Sequence, residues 1–358
     1  MKLRKLAAIV AATAVLGLGL AYAFRAPLSL LAAERLAASH LAADPVKELP
    51  DGLHVALCGA GSPFSDPQRG GPCTLVIAGQ RLFVFDAGNA AVRNLGRFGV
   101  AHGRIEAIFL THFHSDHIDG LGELLLQRWV STGNARPAPV YGPEGVQAIV
   151  DGLRTVYDAD RGYRVAHHGE ATLPSSGFGG VAHPFTLPAG GRTVLLKDDD
   201  LEIAGFAVDH APVHPAVGYR IRYKGRTVVL SGDTRKSAAV AREAAGADLL
   251  VHEALATPMV NLLGRAAVQA GRPNVGKLMA DIVDYHTTPE EAAEVARDAK
   301  VRYLLLNHIA PPLPLPGMEA AFLGRAGEIY PGPLRVGLDG DLVSLPAGSD
   351  AIRHSRRF

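Results

Sequence analysis

Short apolar runs closed by glycine or a charged residue alternate along this chain with segments whose apolar positions recur every three or four residues. "LHVALCGAG", "CTLVIAG" and "RLFVFDAG" have the β-branched, apolar character of buried strands, while "AAVRNLGRFG" has helical spacing and a terminal glycine suited to a helix end. "IEAIFLTH" predicts a further strand and "GLGELLLQRWV" a helix. The second half repeats the theme. "RTVLLKDDDLEIAGFAV", "VGYRIRYKGRTVVLSGDT", "DLLVHEA" and "VRYLLLNH" predict strands, "RKSAAVAREAAGA" and "TPEEAAEVARDAK" helices, and Asp339-Gly340 the turn of a hairpin. Two β-rich halves, each followed by helices, predict an α/β chain in which two mixed sheets pack face to face with helices outside, an αββα sandwich. Between the halves, the glycines and aspartates of "YDADRGYRVAHHGE" suit a loop over an active site, where His167 and His168 could read substrate.

The first residues follow another pattern. Lys2, Arg4 and Lys5 precede an unbroken small and apolar run from Leu6 to Ala23, ending Ala21-Tyr22-Ala23. A basic start, an apolar stretch and an A-x-A-like end read as a signal peptide over residues 1–23. The run is also about the minimum length for crossing a bilayer, so a membrane anchor through residues 6–23 is the alternative. Both readings predict export, to the periplasm, the medium or the outer face of the inner membrane. "PLSLLAAERLAASHLAADP" predicts a helical stalk or linker over 24–45, followed by one catalytic domain over 46–346 and a tail over 347–358. With 358 residues, 48% hydrophobic and 20% charged, the chain can bury one large core or two modest ones, which argues against disorder. A net charge of +1 supplies no general field for a polyanion, so nucleic acid is not expected as a partner. Cys58 and Cys73 flank a Gly/Pro-rich loop; they pair in an oxidising compartment or stay as two buried thiols.

Candidate chemistry tracks the strand ends. Asp86 follows "LFVF", His112 follows "IFLT", Asp233 follows "VVLSG", Glu253 follows "LLVH" and His308 follows "LLLN". Strand ends are where a rigid scaffold can hold ligands within the roughly ±0.2 Å that metal bonds tolerate. The stretch "FLTHFHSDHIDG" then packs His112, His114, Asp116 and His117 into the form H-x-H-x-D-H. Split two and two, these side chains begin two sites and close neither, because each ion needs about four ligands. His214 is expected to complete the first site and His308 the second, with Asp233 bridging both. Two divalent ions about 3.5–4 Å apart can share a water as hydroxide and clamp the attacking and leaving oxygens. Asp86 is expected to hydrogen-bond the histidine loop rather than bind metal. His210 and His252 lie close to these positions and read as supporting groups. His40, His54, His102, His183 and His354 are isolated and read as surface or structural residues.

The stretches "LCGAGSP", "FDAG", "THFHSDHIDGL", "VHPAVGYRI", "SGDT", "HEA", "HTTPEEAA" and "NHIAP" together resemble the metallo-β-lactamase superfamily, and within it the ribonuclease Z and arylsulfatase-like branch. That resemblance implies the metallo-β-lactamase fold, two Zn2+ ions (Mn2+ or Fe2+ as alternatives) and a homodimer. It also implies His286 as general acid at the leaving oxygen, Glu253 as the carboxylate orienting it, and Asp116 in the catalytic set as well as among the ligands. The expected function is an exported dinuclear hydrolase cleaving a phosphodiester or sulfate ester of a small anionic substrate through a bridging hydroxide. Lactone or other carboxylic-ester hydrolysis, metal binding without turnover, and iron redox chemistry on the same ligands are the alternatives. Ribonuclease Z work on tRNA would need a cytoplasmic location and a clamping arm; the leader argues against the first, and no long Gly/Pro-rich basic arm is present.

Overall fold

The computed structural model describes residues 2–42 and 44–358, with the side chains at 2–3 and 40–42 outside the description, His40 among them. It divides into two units, residues 1–45 and 46–358. The first holds helices α1 (Lys2–Ala23) and α2 (Arg25–Ala42). Arg4–Ala23 is long and apolar enough to cross a membrane by length and composition. Leu6, Ile9, Leu16, Leu18 and Leu20 on it are all exposed.

In the second unit, β1 (Gly52–Gly59), β2 (Cys73–Ala78), β3 (Arg81–Phe85), β4 (Ile105–Phe109), β5 (Ala138–Pro143) and β6 (Gly180–Phe185) lie in one sheet. The other contains β7 (Arg192–Lys197), β8 (Leu201–Ala207), β9 (Val217–Tyr223), β10 (Arg226–Leu230), β11 (Leu249–Leu255), β12 (Leu304–Ala310) and β13 (Leu334–Val336). Strands β14 (Asp341–Pro346) and β15 (Arg353–Arg356) return to the first sheet, giving it the order β15-β14-β1-β2-β3-β4-β5-β6. The second runs β13-β12-β11-β10-β9-β8-β7. This is the αββα sandwich predicted from the apolar pattern. Leu53, Val55, Phe83, Phe109, Ile221 and Val228 fill the space between the sheets and are fully buried. Helices α3 (Ala91–Arg97), α4 (Ser115–Ile118), α5 (Leu121–Val130), α6 (Val146–Val156) and α7 (Asp158–His168) follow strands of the first sheet in the chain. Along the second run α8 (Ala238–Glu243), α9 (Thr257–Gln269), α10 (Pro273–Asp281), α11 (Pro289–Asp298), α12 (Met318–Leu323) and α13 (Ala326–Ile329).

Three readings of the sequence are corrected. Asp339-Gly340 does not turn a hairpin, because β13 and β14 belong to different sheets. The Asp339 carboxylate accepts hydrogen bonds from Ala60 N at 2.9 Å, Gly70 N at 2.8 Å and Asn94 Nδ2 at 2.7 Å, which pulls the crossing onto the loop after β1. The tail over 347–358 contains β15, paired antiparallel to β14. The expected loop at "YDADRGYRVAHHGE" is largely helix α7: Asp158 and Asp160 occupy its first turn, where negative charge favours a helix, and pair with Arg161 and Arg164.

Cys58 and Cys73 form a disulfide across the β1–β2 loop, settling the alternative left open by their spacing. A loop of this size, with its cysteines 15 positions apart, is worth about 3 kcal/mol in unfolded-state entropy. Reduction is therefore expected to lower the free energy of unfolding by about that amount, read as a shift in denaturant midpoint with and without dithiothreitol.

Candidate metal centre

An aromatic stack supports the site from below. Phe85, Phe109 and Tyr141 lie ring on ring at centroid distances of 4.8 and 4.9 Å, with Tyr219 edge-on to Phe85 at 5.1 Å. Packing of this kind fixes β3 and β4 where they release Asp86 and His112. Past His112 the chain stays extended to His114 and then turns into α4, so Asp116 and His117 sit in one helical turn. This turn is zipped to the β3 exit by Ala87 N to His117 O and Gly120 N to Ala87 O, both 2.8 Å. Position 88 admits only glycine, since a Cβ there would lie 2.3 Å from Asp116 O.

Four segments from the second sheet meet this turn. Gly232, at φ +61°, swings Asp233 inward from β10, and the Asp233 side chain is almost fully buried. His308 comes from a bulge: Glu253 pairs with Asn307 and Ala254 with Ile309, leaving His308 as the extra residue of β12 at φ +48°. Bulges re-aim a side chain, and a non-glycine residue in the left-handed region costs roughly 1–3 kcal/mol. Asp86, at φ +56°, is held in the same region on the opposite side. His210, fully buried just beyond β8, donates from Nδ1 to Tyr285 O at 2.9 Å, which turns Nε2 toward the cluster. Glu253 on β11 supports His286, which precedes α11.

The side chains converge in three groups, the third of which, Asp233, His286 and His308, shares a member with each of the others. His112, His114, His210 and Asp233 offer ligand atoms within 4.8 Å of one another, and so do Asp116, His117 and His308. Asp233 Oδ2 lies 3.2 Å from His308 Nε2, 3.3 Å from His117 Nε2, 3.8 Å from His112 Nε2 and 4.0 Å from His210 Nε2, which is the position of a bridge. The structure therefore brings together every expected donor except His214. That residue is exposed, beyond the turn closed by Val213 N to His210 O at 2.9 Å, and the buried His210 stands in its place. His210 lies three residues past the end of β8, a strand-end position like that of Asp233, but the segment offers two histidines and only the turn selects the first. His167 and His168 end α7 on the surface, outside these groups.

Electrostatics fit a cation. Burial opposes ionisation of Asp233, but His308 and His117 hold its carboxyl well below the usual range. Burial and the neighbouring His117 push His112 well below an ordinary imidazole. His117 is also disfavoured as a cation by burial, yet Asp233 and Asp86 raise it well above its ordinary value, so these carboxylates demand a positive charge at this point. Nε2 of His117 and of His210 are buried without an aligned hydrogen-bond partner among the described residues, as expected of ring nitrogens meant for metal. Asp86 Oδ2 meets His117 Nδ1 at 2.9 Å and Thr111 Oγ1 at 2.8 Å, while Oδ1 accepts from Thr111 N at 2.8 Å. Such a partner fixes which nitrogen of His117 would face a metal. Asp86→Asn is expected to weaken metal affinity roughly 10- to 100-fold with little change in fold, read by competition with a chelator and by circular dichroism.

His286 and Glu253 form the other half of the site. The His286 Nδ1 to Glu253 Oε1 distance is 3.1 Å, and the same oxygen accepts from Thr287 N at 2.9 Å. Burial opposes protonation of His286, but the Glu253 carboxylate outweighs it and raises the imidazole above its ordinary value. His286 does not cap the following helix. Thr288 and Glu291 form that capping box, leaving the His286 ring beside Asp233 and His308.

Comparison with known proteins agrees with this geometry. Residues 81–309 match the family model described as the β-lactamase superfamily domain. The chain belongs to the metallo-β-lactamase superfamily. It is 35% identical to ribonuclease Z of Mycobacterium sp. (strain KMS) over 297 residues, covering 83% of this chain and 97% of that one. Ribonuclease Z of Mycobacterium bovis (strain BCG / Pasteur 1173P2) is 37% identical over 290 residues, 80% of this chain and 96% of its own. The crystal structure of human tRNase Z, short form, superposes with a TM-score of 0.57 at 22% identity, over 82% of this chain and 99% of that one. This superfamily member is a metal-dependent hydrolase acting on ester bonds, with a His/Asp cluster suited to divalent metal. The expectation of a small anionic ester with nucleic acid unlikely is overturned, because relatives sharing over a third of their residues are named as ribonucleases. Overall charge was a poor guide, because a net charge of +1 averages over the whole chain and says nothing of a local site.

Proposed function

We propose that this chain hydrolyses RNA phosphodiester bonds with two Zn2+ ions, one held by His112, His114, His210 and Asp233, the other by Asp116, His117, His308 and Asp233. The convergence of seven donors, Asp233 central among them, carries this reading, and the likeness to ribonucleases Z over 83% of this chain supports RNA as the substrate. Bound zinc would polarise the phosphoryl oxygen and make water acidic enough to attack at neutral pH. The chain's own residues supply the rest. Glu253 fixes His286 through Nδ1, so Nε2 is the nitrogen that holds a proton for the departing oxygen. Asp86 and Thr111 keep the His112–His117 turn from rotating, which spares reorganisation when a charged diester arrives.

Export is part of the proposal, to the periplasm or the cell exterior, with Arg4–Ala23 as signal or anchor. It is supported by the apolar α1 and by the Cys58–Cys73 disulfide, a bond characteristic of oxidising compartments. Alkylation of whole cells before lysis should find both thiols blocked. The substrate is tested by offering the zinc-loaded protein a labelled RNA, a bis(aryl) phosphate, an aryl sulfate and a lactone. RNA and the phosphate diester are expected to be cleaved; intact RNA beside a consumed sulfate or lactone would overturn the assignment.

A further inference from the structure

The chain between Glu253 and His286 is occupied by a helical hairpin, α9 and α10, that the hydrolytic chemistry does not use. Its two helices pack closely on each other. A Cβ at Gly276 would lie 2.5 Å from Val268 Cγ2, and one at Gly264 3.1 Å from Met279 Cβ. Against the rest of the unit the hairpin is held at its base, where Val260, Met279, Ile282 and Val283 meet Leu255, Ala310 and Phe64. Only Val260 and Gly264 of α9 are buried, and no residue of α10 is. Leu262, Val268 and Leu278 are 57%, 55% and 58% exposed, and Leu263 and Val275 are exposed beside them. A folded domain does not normally leave such an apolar group in water without a partner.

The charge pattern identifies that partner. Arg265, Arg272 and Lys277 accompany the apolar side chains, and the one acid of residues 257–281, Asp281, is paired with Lys277. Apolar residues flanked by basic ones are the composition of a surface that enters the headgroup region of an anionic bilayer. The same chain carries the candidate membrane span Arg4–Ala23. We infer that the α9–α10 hairpin docks on the surface of an anionic phospholipid bilayer, setting the Glu253–His286 end of the hydrolytic site beside the membrane. This rests on the reading of Arg4–Ala23 as a retained anchor.

Cys58 and Cys73 are paired, so a single introduced thiol can be labelled. Full-length Leu278→Cys and, separately, Leu262→Cys would carry an environment-sensitive fluorophore, with Val156→Cys on α6 as the exposed reference. Each is reconstituted in phosphatidylcholine/phosphatidylglycerol vesicles containing brominated lipid. Quenching at 278 and 262 with none at 156, lost when Leu263→Glu is added, is the expected result. No quenching at 278 and 262 overturns the inference. So does oxidation of unlabelled Leu278→Cys to a covalent dimer without lipid quenching, which would give the face to a second copy of the chain. The intact mass of the purified protein shows separately whether residues 4–23 remain, and bis(aryl) phosphate turnover reads the hydrolase assignment independently of lipid.

Discussion

Asp233→Ala is expected to abolish phosphodiester turnover and to strip metal from the protein, the largest effect of any single change at this site. Its carboxylate lies within 4.0 Å of His112, His117, His210 and His308 at once, and it is the carboxylate that meets donors of the first two groups among the described residues. Removing it takes from His112 and His210 the carboxylate beside them and leaves His117 and His308 with Asp86 and Asp116. Repulsion between two bound cations would then go uncompensated. A loss of at least about 10³-fold in kcat is expected if the clamp on both oxygens of the displacement is removed, accompanied by a fall in metal content below two per chain. Elemental analysis of the dialysed variant beside its rate on a bis(aryl) phosphate checks both. Asp233→Asn distinguishes charge from shape, since the amide fills the space and should still lose metal.

His286→Ala is the second large effect, and it differs in kind. His286 touches Glu253 and sits beside Asp233 and His308, but the seven donors form the first two groups without it. Metal content should therefore hold while cleavage slows by roughly 10²- to 10⁴-fold, the range for a positioned general acid. The loss should fall on substrates with poor leaving groups, RNA above all. An activated nitrophenyl diester, whose phenolate leaves without a proton, should be nearly spared. Equal slowing of both substrates would remove the general-acid role. Glu253→Gln should reproduce a milder form of the same selectivity, because it acts through the orientation of His286 and the Thr287 backbone.

The sandwich and most of the metal cluster were legible in the linear pattern because both depend on local signals. Alternation and β-branched runs mark the buried strands, and H-x-H-x-D-H places four donors within one turn by covalent proximity. Strand-end positions then located Asp233 and His308 despite the long separation from His112. What failed depended on tertiary placement. Nothing in the order Asp209 to Pro215 says whether the chain turns inward at the first histidine or the second; the His210–Val213 turn decides it, and buries one while exposing the other. The bulge that isolates His308 is visible only once β11 and β12 are in register. Asp339 draws the chain between sheets through contacts with Ala60, Gly70 and Asn94, partners far away in the chain. Net charge misled about nucleic acid because it averages over the whole chain and carries no information about a local site.

The most direct test is zinc stoichiometry by native mass spectrometry on the wild-type protein, His210→Ala and His214→Ala. Two ions are expected in the wild type and in His214→Ala, with fewer in His210→Ala. A wild-type protein that binds no zinc, or a pair of variants in which His214→Ala loses metal and His210→Ala keeps it, would contradict the seven-donor centre on which the hydrolytic assignment stands.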